Sequence, residues 1–317
     1  QHERYWHESE EVEACRLKNI SKRGGFSEIR HPLVGGQLNS FTKVWQNQLD
    51  LQNLEYLEDH QVGDEIVYPG AAYVEMGLFL ANQLNPEQTI TLENVDFKRA
   101  FYLEQNNPPL IETSLDNNHY QISAQAPSSE SWEVFSEGSI SEIGKSKPIS
   151  KMELSTLKGE LNHHMDKGEF YTHCHKLGLT YQYSFQMVEQ AWFSHDKSLV
   201  EIELEDSILS QNEHYFLHPS ILDGAFQSLF PTIASSYLPV KIRELHYYQK
   251  PDQRCYCYLE TKFKDANEIH GDLVIFDGSG NILVEIFGVE LKANSQQSEI
   301  EKTDFLYDFE WNNEALI

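Results

Sequence analysis

His60 and Asp223 are the residues whose types and surroundings could do chemistry in this chain. His60 lies nine residues before Pro69, on a segment feeding a helix N-terminus, where unpaired backbone N–H groups and the helix dipole favour negative charge. Imidazole is the side chain best suited to base chemistry near neutrality. Asp223 follows Leu222 among apolar neighbours, where an ionised carboxylate is costly and a protonated one can serve as an acid. A base, an acid and an oxyanion site at a helix N-terminus suit removal of a proton α to a carbonyl with expulsion of a β-hydroxyl. Spacing alone favours a plainer reading, in which His60 is a buried hydrogen-bonded histidine and Asp223 a helix-start carboxylate.

The elements that must position these residues are legible in the apolar spacing. Ala72, Met76, Phe79, Leu80 and Leu84 repeat at helical intervals before Pro86, so a helix begins at Pro69 or Gly70. Leu222, Ala225, Phe226 and Leu229 repeat in the same way, which predicts a second helix from near Pro219, broken at Pro231. Strand-like runs lie at 41–49, 91–103, 110–115, 119–126 and 132–140, and again at 192–193, 199–204, 256–263, 273–276 and 282–291. Asp166 with Glu169 reads as a capping box opening a helix with an apolar stripe of Phe170, Cys174 and Leu177, ending at Gly178. Both halves thus carry a Pro-led helix with strands, an α+β pattern that suggests structural duplication. The expected division is an incoming linker 1–25, a first half 26–145, a connection 146–165, a second half 166–295 and an outgoing linker 296–317.

Composition narrows the function classes. The 317 residues hold 24 Lys+Arg against 50 Asp+Glu, a formal charge of −26, which disfavours nucleic acid and anionic membranes as partners. No run reaches the roughly 18 apolar residues of a membrane span, and the N-terminus has no apolar signal core. The chain starts at Gln1 and first shows Met at Met76, so a piece of a longer, cytoplasmic polypeptide is expected. Cys15, Cys174, Cys255 and Cys257 are too scattered for a disulfide framework; Cys255 and Cys257 read as packing residues on one strand face. The sequon at Asn19 does not by itself argue secretion. His163-His164 and His173-Cys174-His175 are read as structural, with no metal site, and Gly278-Ser279-Gly280 as a hairpin turn.

Motifs in order along the chain resemble those of polyketide synthase dehydratase domains. Asp59-His60-Gln61-Val62 through Tyr68-Pro69-Gly70, with Ala72-Tyr73-Val74-Glu75-Met76, is similar to the catalytic-histidine motif HxxxGxxxxP. His218-Pro219-Ser220-Ile221-Leu222-Asp223-Gly224-Ala225-Phe226-Gln227 resembles the catalytic-aspartate motif. His31-Pro32-Leu33-Val34-Gly35, the Leu179–Gln186 stretch, Leu238-Pro239-Val240, Arg4-Tyr5-Trp6 and Leu306-Tyr307-Asp308-Phe309-Glu310-Trp311 add supporting matches. Two departures bear on loop geometry: Gly63 stands three residues after His60 where the family has its glycine four after, and Tyr181-Gln182-Tyr183 replaces Tyr-Gly-Pro. Pro69 and Asp223, typically altered in relatives that shift double bonds, are both present.

The resemblance implies a double hotdog fold, each half a long helix wrapped by an antiparallel sheet, with a tunnel for a phosphopantetheine-linked chain. It implies syn elimination of water from a β-hydroxyacyl thioester on an acyl carrier protein, without cofactor or metal. His60 would be the base, Gly70 N–H the oxyanion donor after Pro69, Asp223 the acid, and Gln227, or more weakly Tyr181, would orient the leaving hydroxyl. A homodimer and neighbouring polyketide synthase domains are the implied partners. A non-catalytic scaffold and a double-bond-shifting or cyclising enzyme of the same fold are the alternatives. Because carrier proteins are usually acidic too, delivery would rest on tethering or on a basic patch, expected to include Lys241, Arg243 or Lys250.

Overall fold

The computed structural model describes residues 31–293, apart from 41, 87–88, 126–130 and 143. The expected linkers 1–25 and 296–317, Cys15, the sequon, and the motif matches at 4–6 and 306–311 lie outside the described residues. In the first half come β1 (Gly36–Gln37), β2 (Lys43–Gln48), β3 (His60–Val62), β4 (Glu65–Ile66), helix α1 (Gly70–Leu84), β5 (Ile90–Phe97), β6 (Leu110–Asp116), β7 (His119–Gln125) and β8 (Glu133–Ile140). Then follow α2 (Leu154–Glu160), β9 (His163–Asp166), α3 (Lys167–Lys176), β10 (Leu179–Tyr181), β11 (Val188–Phe193), β12 (Lys197–Glu203), α4 (Asp206–Leu209) and α5 (Pro219–Gln227). The described residues end with β13 (Tyr237–Tyr247), β14 (Arg254–Lys264), β15 (Glu268–Phe276) and β16 (Ile282–Ala293).

Thirteen strands form one antiparallel sheet in the order β1-β2-β6-β7-β8-β5-β13-β16-β15-β14-β12-β11-β9. Each half wraps its own helix, and β5 against β13 joins the halves, from Ile90 opposite Tyr247 to Asp96 opposite Lys241. This joining strand, β13, escaped the reading of the sequence, which recorded only Leu238-Pro239-Val240. The proline sits where the β13–β16 register shifts between Pro239 and Lys241, so its missing N–H falls at an irregularity rather than in the ladder. Strands facing the core alternate as period-2 packing requires: along β6, Ile111, Thr113 and Leu115 are buried between half-exposed neighbours.

Helix α1 is buried from Ala71 to Ala81, so its faces need partners all round. One partner is Tyr120 on β7, fully buried between Gly77 of α1 and Gly138 of β8; a Cβ on either glycine would lie 2.8 or 2.6 Å from its hydroxyl. Helix α5 is shorter than expected. It ends at Gln227 and passes through Ser228 into a 3-10 turn at Phe230–Thr232. Pro231 has no N–H to continue the ladder and restricts Phe230. The capping box at Asp166 and Glu169 is present, the two side-chain bonds measuring 2.9 and 3.1 Å, and α3 buries Phe170 and Cys174 before turning at Gly178, φ 77°. Cys255 and Cys257 are buried on β14, with burial pushing the Cys255 thiol up to about 12. Gly280, φ 79°, completes the expected β15–β16 turn, whose amides at Ser279 and Asn281 donate to Asp277.

The halves are also tied through the core by Glu75. Its fully buried carboxylate, on α1, accepts from Phe216 N–H at 2.8 Å, Leu217 N–H at 2.7 Å and His31 Nε2 at 3.0 Å. His31 in turn accepts the Leu33 and Val34 amides on Nδ1, which leaves Nε2 as the protonated nitrogen. Residues 216–217 run directly into α5, so Glu75 sets where that helix starts relative to α1. Glu75→Ala would strand these buried donors, and a loss of about 3 kcal/mol or more in urea-unfolding free energy is expected.

Candidate active site

Between the halves lies a second, three-stranded sheet, β10-β3-β4. It places His60 opposite Tyr181 in register, their rings 5.7 Å apart. The β3–β4 hairpin has Val62 opposite Glu65, so Gly63 and Asp64 are its two turn residues, and Gly63 has φ 62°. A two-residue hairpin of this kind needs a residue tolerant of positive φ first, which accounts for the glycine standing at 63. The segment replacing Tyr-Gly-Pro is anchored from Asp59: its carbonyl accepts Gln182 N–H at 2.9 Å and its carboxylate accepts Ser184 N–H at 2.9 Å. Tyr183, in the proline's place, is 73% exposed.

His60 Nδ1 lies 2.8 Å from the Val67 carbonyl. A carbonyl only accepts, so Nδ1 carries a proton, and in the neutral form of the ring Nε2 presents the lone pair. Nε2 faces Asp223 Oδ1 across 3.5 Å, too wide for a good hydrogen bond, with both side chains about nine-tenths buried. The rings of Tyr181 and Phe185 wall the histidine, Phe185 at 4.9 Å. Asp223 sits on α5, which packs against α1. Its other oxygen, Oδ2, accepts from Gln227 Nε2 at 2.8 Å, one turn along the helix.

Gln227 was expected at a leaving hydroxyl. The structure gives it another place: its fully buried amide also donates to the Phe185 carbonyl at 3.0 Å and accepts from Tyr171 at 3.0 Å, so its polar atoms are engaged within the protein. The Tyr181 hydroxyl has no hydrogen-bond partner among the described residues, although its carbonyl accepts from Gln186 Nε2 at 2.8 Å, and burial, with the Asp223 charge adding to it, holds its phenol well above the usual range. Its hydroxyl therefore stays protonated and able to donate, on a ring that lies against His60. Tyr171 went unread in the sequence, because a single tyrosine on a polar helix carries no signal.

Pro69 is the residue before α1, and Gly70 is its first residue, three positions beyond the carbonyl that holds His60. Gly70 N–H has no acceptor among the described residues, as the first turn of a helix requires. Position 70 packs against Phe97 and against Pro239 of the Leu-Pro segment, where a Cβ would make ordinary contacts at 3.6 and 3.7 Å. Of the cations named for a basic patch, Lys241 and Arg243 lie two residues apart on the same strand, β13. Lys241 pairs with Asp96 at 3.2 Å, Arg243 lies over Gly288, and Lys250 lies beyond the end of β13 at Tyr247. Lys250 is also occupied, its ammonium 2.8 Å from the Asn212 carbonyl. His163 and His164 lie on a strand; His173 bonds the Phe230 carbonyl at 2.9 Å.

Residues 31–133 match the polyketide synthase dehydratase domain, and residues 149–301 match the polyketide synthase dehydratase N-terminal domain. The chain belongs to the polyketide synthase dehydratase family. It is 24% identical over 316 residues to polyketide synthase PksM of Bacillus subtilis, covering 92% of this chain and 7% of that protein. It is also 24% identical over 326 residues to the phthioceranic/hydroxyphthioceranic acid synthase of Mycobacterium tuberculosis, covering 92% and 15%. The chain thus spans only a small part of these relatives. Among solved structures, a trans-AT polyketide synthase dehydratase domain from Brevibacillus brevis superposes with a TM-score of 0.77 at 22% identity, covering 83% of this chain and 98% of that one. The CurK dehydratase of curacin polyketide synthase superposes at 0.75 with 26% identity, covering 83% and 97%. CurK has also been solved as two inactive mutants, one with a histidine replaced by phenylalanine and one with an aspartate replaced by asparagine. These neighbours make the architecture of this dehydratase a double hotdog. No helix among the described residues is long and apolar enough to cross a membrane.

His218 caps α5 in this dehydratase, its Nδ1 accepting Ser220 N–H at 3.2 Å, and burial, aided by the Lys250 charge, pushes its pKa down to about 3. An unfolded histidine protonates near pH 6.5, so the folded state loses stability as pH falls below that value, down to about pH 3. At pH 5 the loss from this group is about 2 kcal/mol. His218→Asn keeps a capping oxygen and no titrating ring, so its unfolding free energy should fall by about 2 kcal/mol less than wild type's between pH 7.5 and 5.

Proposed function

We propose that this domain removes water from a β-hydroxyacyl thioester carried on the phosphopantetheine of an acyl carrier protein, leaving an α,β-enoyl thioester. The supporting observation is the facing pair: His60 Nε2 and Asp223 Oδ1 stand 3.5 Å apart, while Nδ1 and Oδ2 are each held from behind. A neutral imidazole and a protonated carboxyl so placed can act on adjacent carbons from one side. His60 takes the α-proton, the Cα–H electrons form the enolate and then the double bond, and the β-hydroxyl leaves with the proton of Asp223 as water. The products on the protein are an imidazolium and a carboxylate, and one proton crossing the same gap restores both. No electrons are gained or lost, so the reaction calls for no redox cofactor.

In this reading the Gly70 N–H, at the positive end of α1, stabilises the enolate oxygen. Tyr181 O–H meets the β-hydroxyl, in the role first given to Gln227. The small fraction of each relative that the chain spans supports work inside a multidomain synthase; a paired assembly belongs to the same proposal, and the few scattered cysteines suit a reducing, cytoplasmic setting. With so acidic a chain, delivery of an acidic carrier protein rests on covalent tethering, which raises effective concentration to about the millimolar range, or on a basic patch that includes Lys241, Arg243 or Lys250.

The domain incubated with a β-hydroxyacyl carrier-protein or pantetheine thioester should give a product lighter by one water in mass spectrometry. Failure with every chain length and alcohol configuration would sink the reading. His60→Ala should cost roughly 10²–10⁴ in rate. Position 70 offers a sharper check, because Pro69 is extended (ψ 140°) and the first helical residue accepts proline. Gly70→Ala keeps the N–H and should stay within about threefold of wild type, whereas Gly70→Pro deletes it and should lose roughly 10²–10³ in kcat.

A further inference from the structure

We infer that Tyr171 is a positioning residue that locks the side-chain amide of Gln227 and thereby fixes which oxygen of Asp223 carries the proton. The inference rests on the dehydratase reading and adds to it a residue from α3.

The argument begins at the Phe185 carbonyl, which can only accept. The end atom of Gln227 that lies 3.0 Å from it must therefore be the nitrogen. The same nitrogen lies 2.8 Å from Asp223 Oδ2. Each of its two protons then has one acceptor, and Oδ2 must offer a lone pair. The carbonyl oxygen of a carboxyl is a better acceptor than its hydroxyl oxygen, so the Gln227 contact favours the proton of Asp223 on Oδ1, the oxygen that faces His60 at 3.5 Å.

This holds only while the amide keeps its orientation, and Tyr171 supplies the constraint at its other end. Tyr171 O–H lies 3.0 Å from Gln227 Oε1, closer than its alternative acceptor, the Phe185 carbonyl at 3.3 Å. Val188 N–H donates to the same hydroxyl at 2.9 Å, which orients its proton away from Val188 and toward the glutamine. Burial of the hydroxyl keeps the phenol protonated, so it stays a donor throughout the working pH range. Among the described residues Gln227 Oε1 has no other donor. The capping box that starts α3 at Asp166 sets the height at which Tyr171 reaches Gln227.

Tyr171→Phe retains the ring beside Tyr181 and removes only the hydroxyl. With a soluble β-hydroxyacyl pantetheine thioester, its kcat should fall about tenfold while KM stays within about twofold. Because Tyr171 acts through Gln227, the Tyr171→Phe, Gln227→Ala double variant should be no slower than Gln227→Ala alone. Wild-type kcat in Tyr171→Phe, or a loss that adds fully to that of Gln227→Ala, overturns the inference and leaves the dehydratase reading standing. The lock is also readable without turnover: by NMR, the Gln227 side-chain amide protons should exchange with solvent at least about tenfold faster in Tyr171→Phe. Equal exchange in the two proteins overturns the inference even where no substrate has been found, whereas wild type that never releases water overturns only the reading of the activity.

Discussion

The carboxylate of Glu75 is the interaction on which the site depends. Taking a carboxylate into the core is costly unless donors replace water, and here two successive backbone amides and one imidazole do so. The donors come from residues 31, 216 and 217 and the acceptor from α1, so satisfying one charge fastens the entry to α5 against the helix of the other half. His60 and Asp223 belong to different halves and can face each other only if that docking is reproducible to a fraction of an ångström. The β5–β13 pairing gives the sheet continuity, but a sheet tolerates twist; the buried carboxylate and the helix contact remove that freedom.

Around the site the polar groups divide into held and free atoms. His60 gives Nδ1–H to a backbone carbonyl and keeps Nε2; Asp223 gives Oδ2 to Gln227 and keeps Oδ1. Gln227 itself is wholly engaged, as is Lys250 on the carbonyl of Asn212. Sequence motifs name such residues without saying which atom is taken, and the accounting of donors and acceptors supplies that.

Several elements were legible because local rules carry them. The capping box at Asp166 and Glu169, the Asp277–Gly280 turn and the start of α1 after Pro69 each depend on residues within a few positions. Strand β13 was illegible for the opposite reason: Pro239, Lys241, Arg243 and Glu244 break the apolar pattern, and only pairing with β5 on one side and β16 on the other makes the segment a strand. The end of α5 was read too far along, since Leu229 keeps helical spacing although Pro231 has already stopped the helix.

By itself, the sequence determined the residue types able to abstract and donate a proton, the helices that bear or precede them, the α+β pattern and the kinship to polyketide synthase dehydratases. These follow from periodicity, turn chemistry and motif order, all of which are local in the chain. Only the tertiary structure decided that Nε2 faces Oδ1, that Gln227 hydrogen-bonds the Asp223 carboxylate, and that Tyr171 stands beside it. Those outcomes depend on pairings between residues far apart in sequence, such as 60 with 223 and 171 with 227, and on how many hydrogen bonds each buried atom must satisfy once water is excluded.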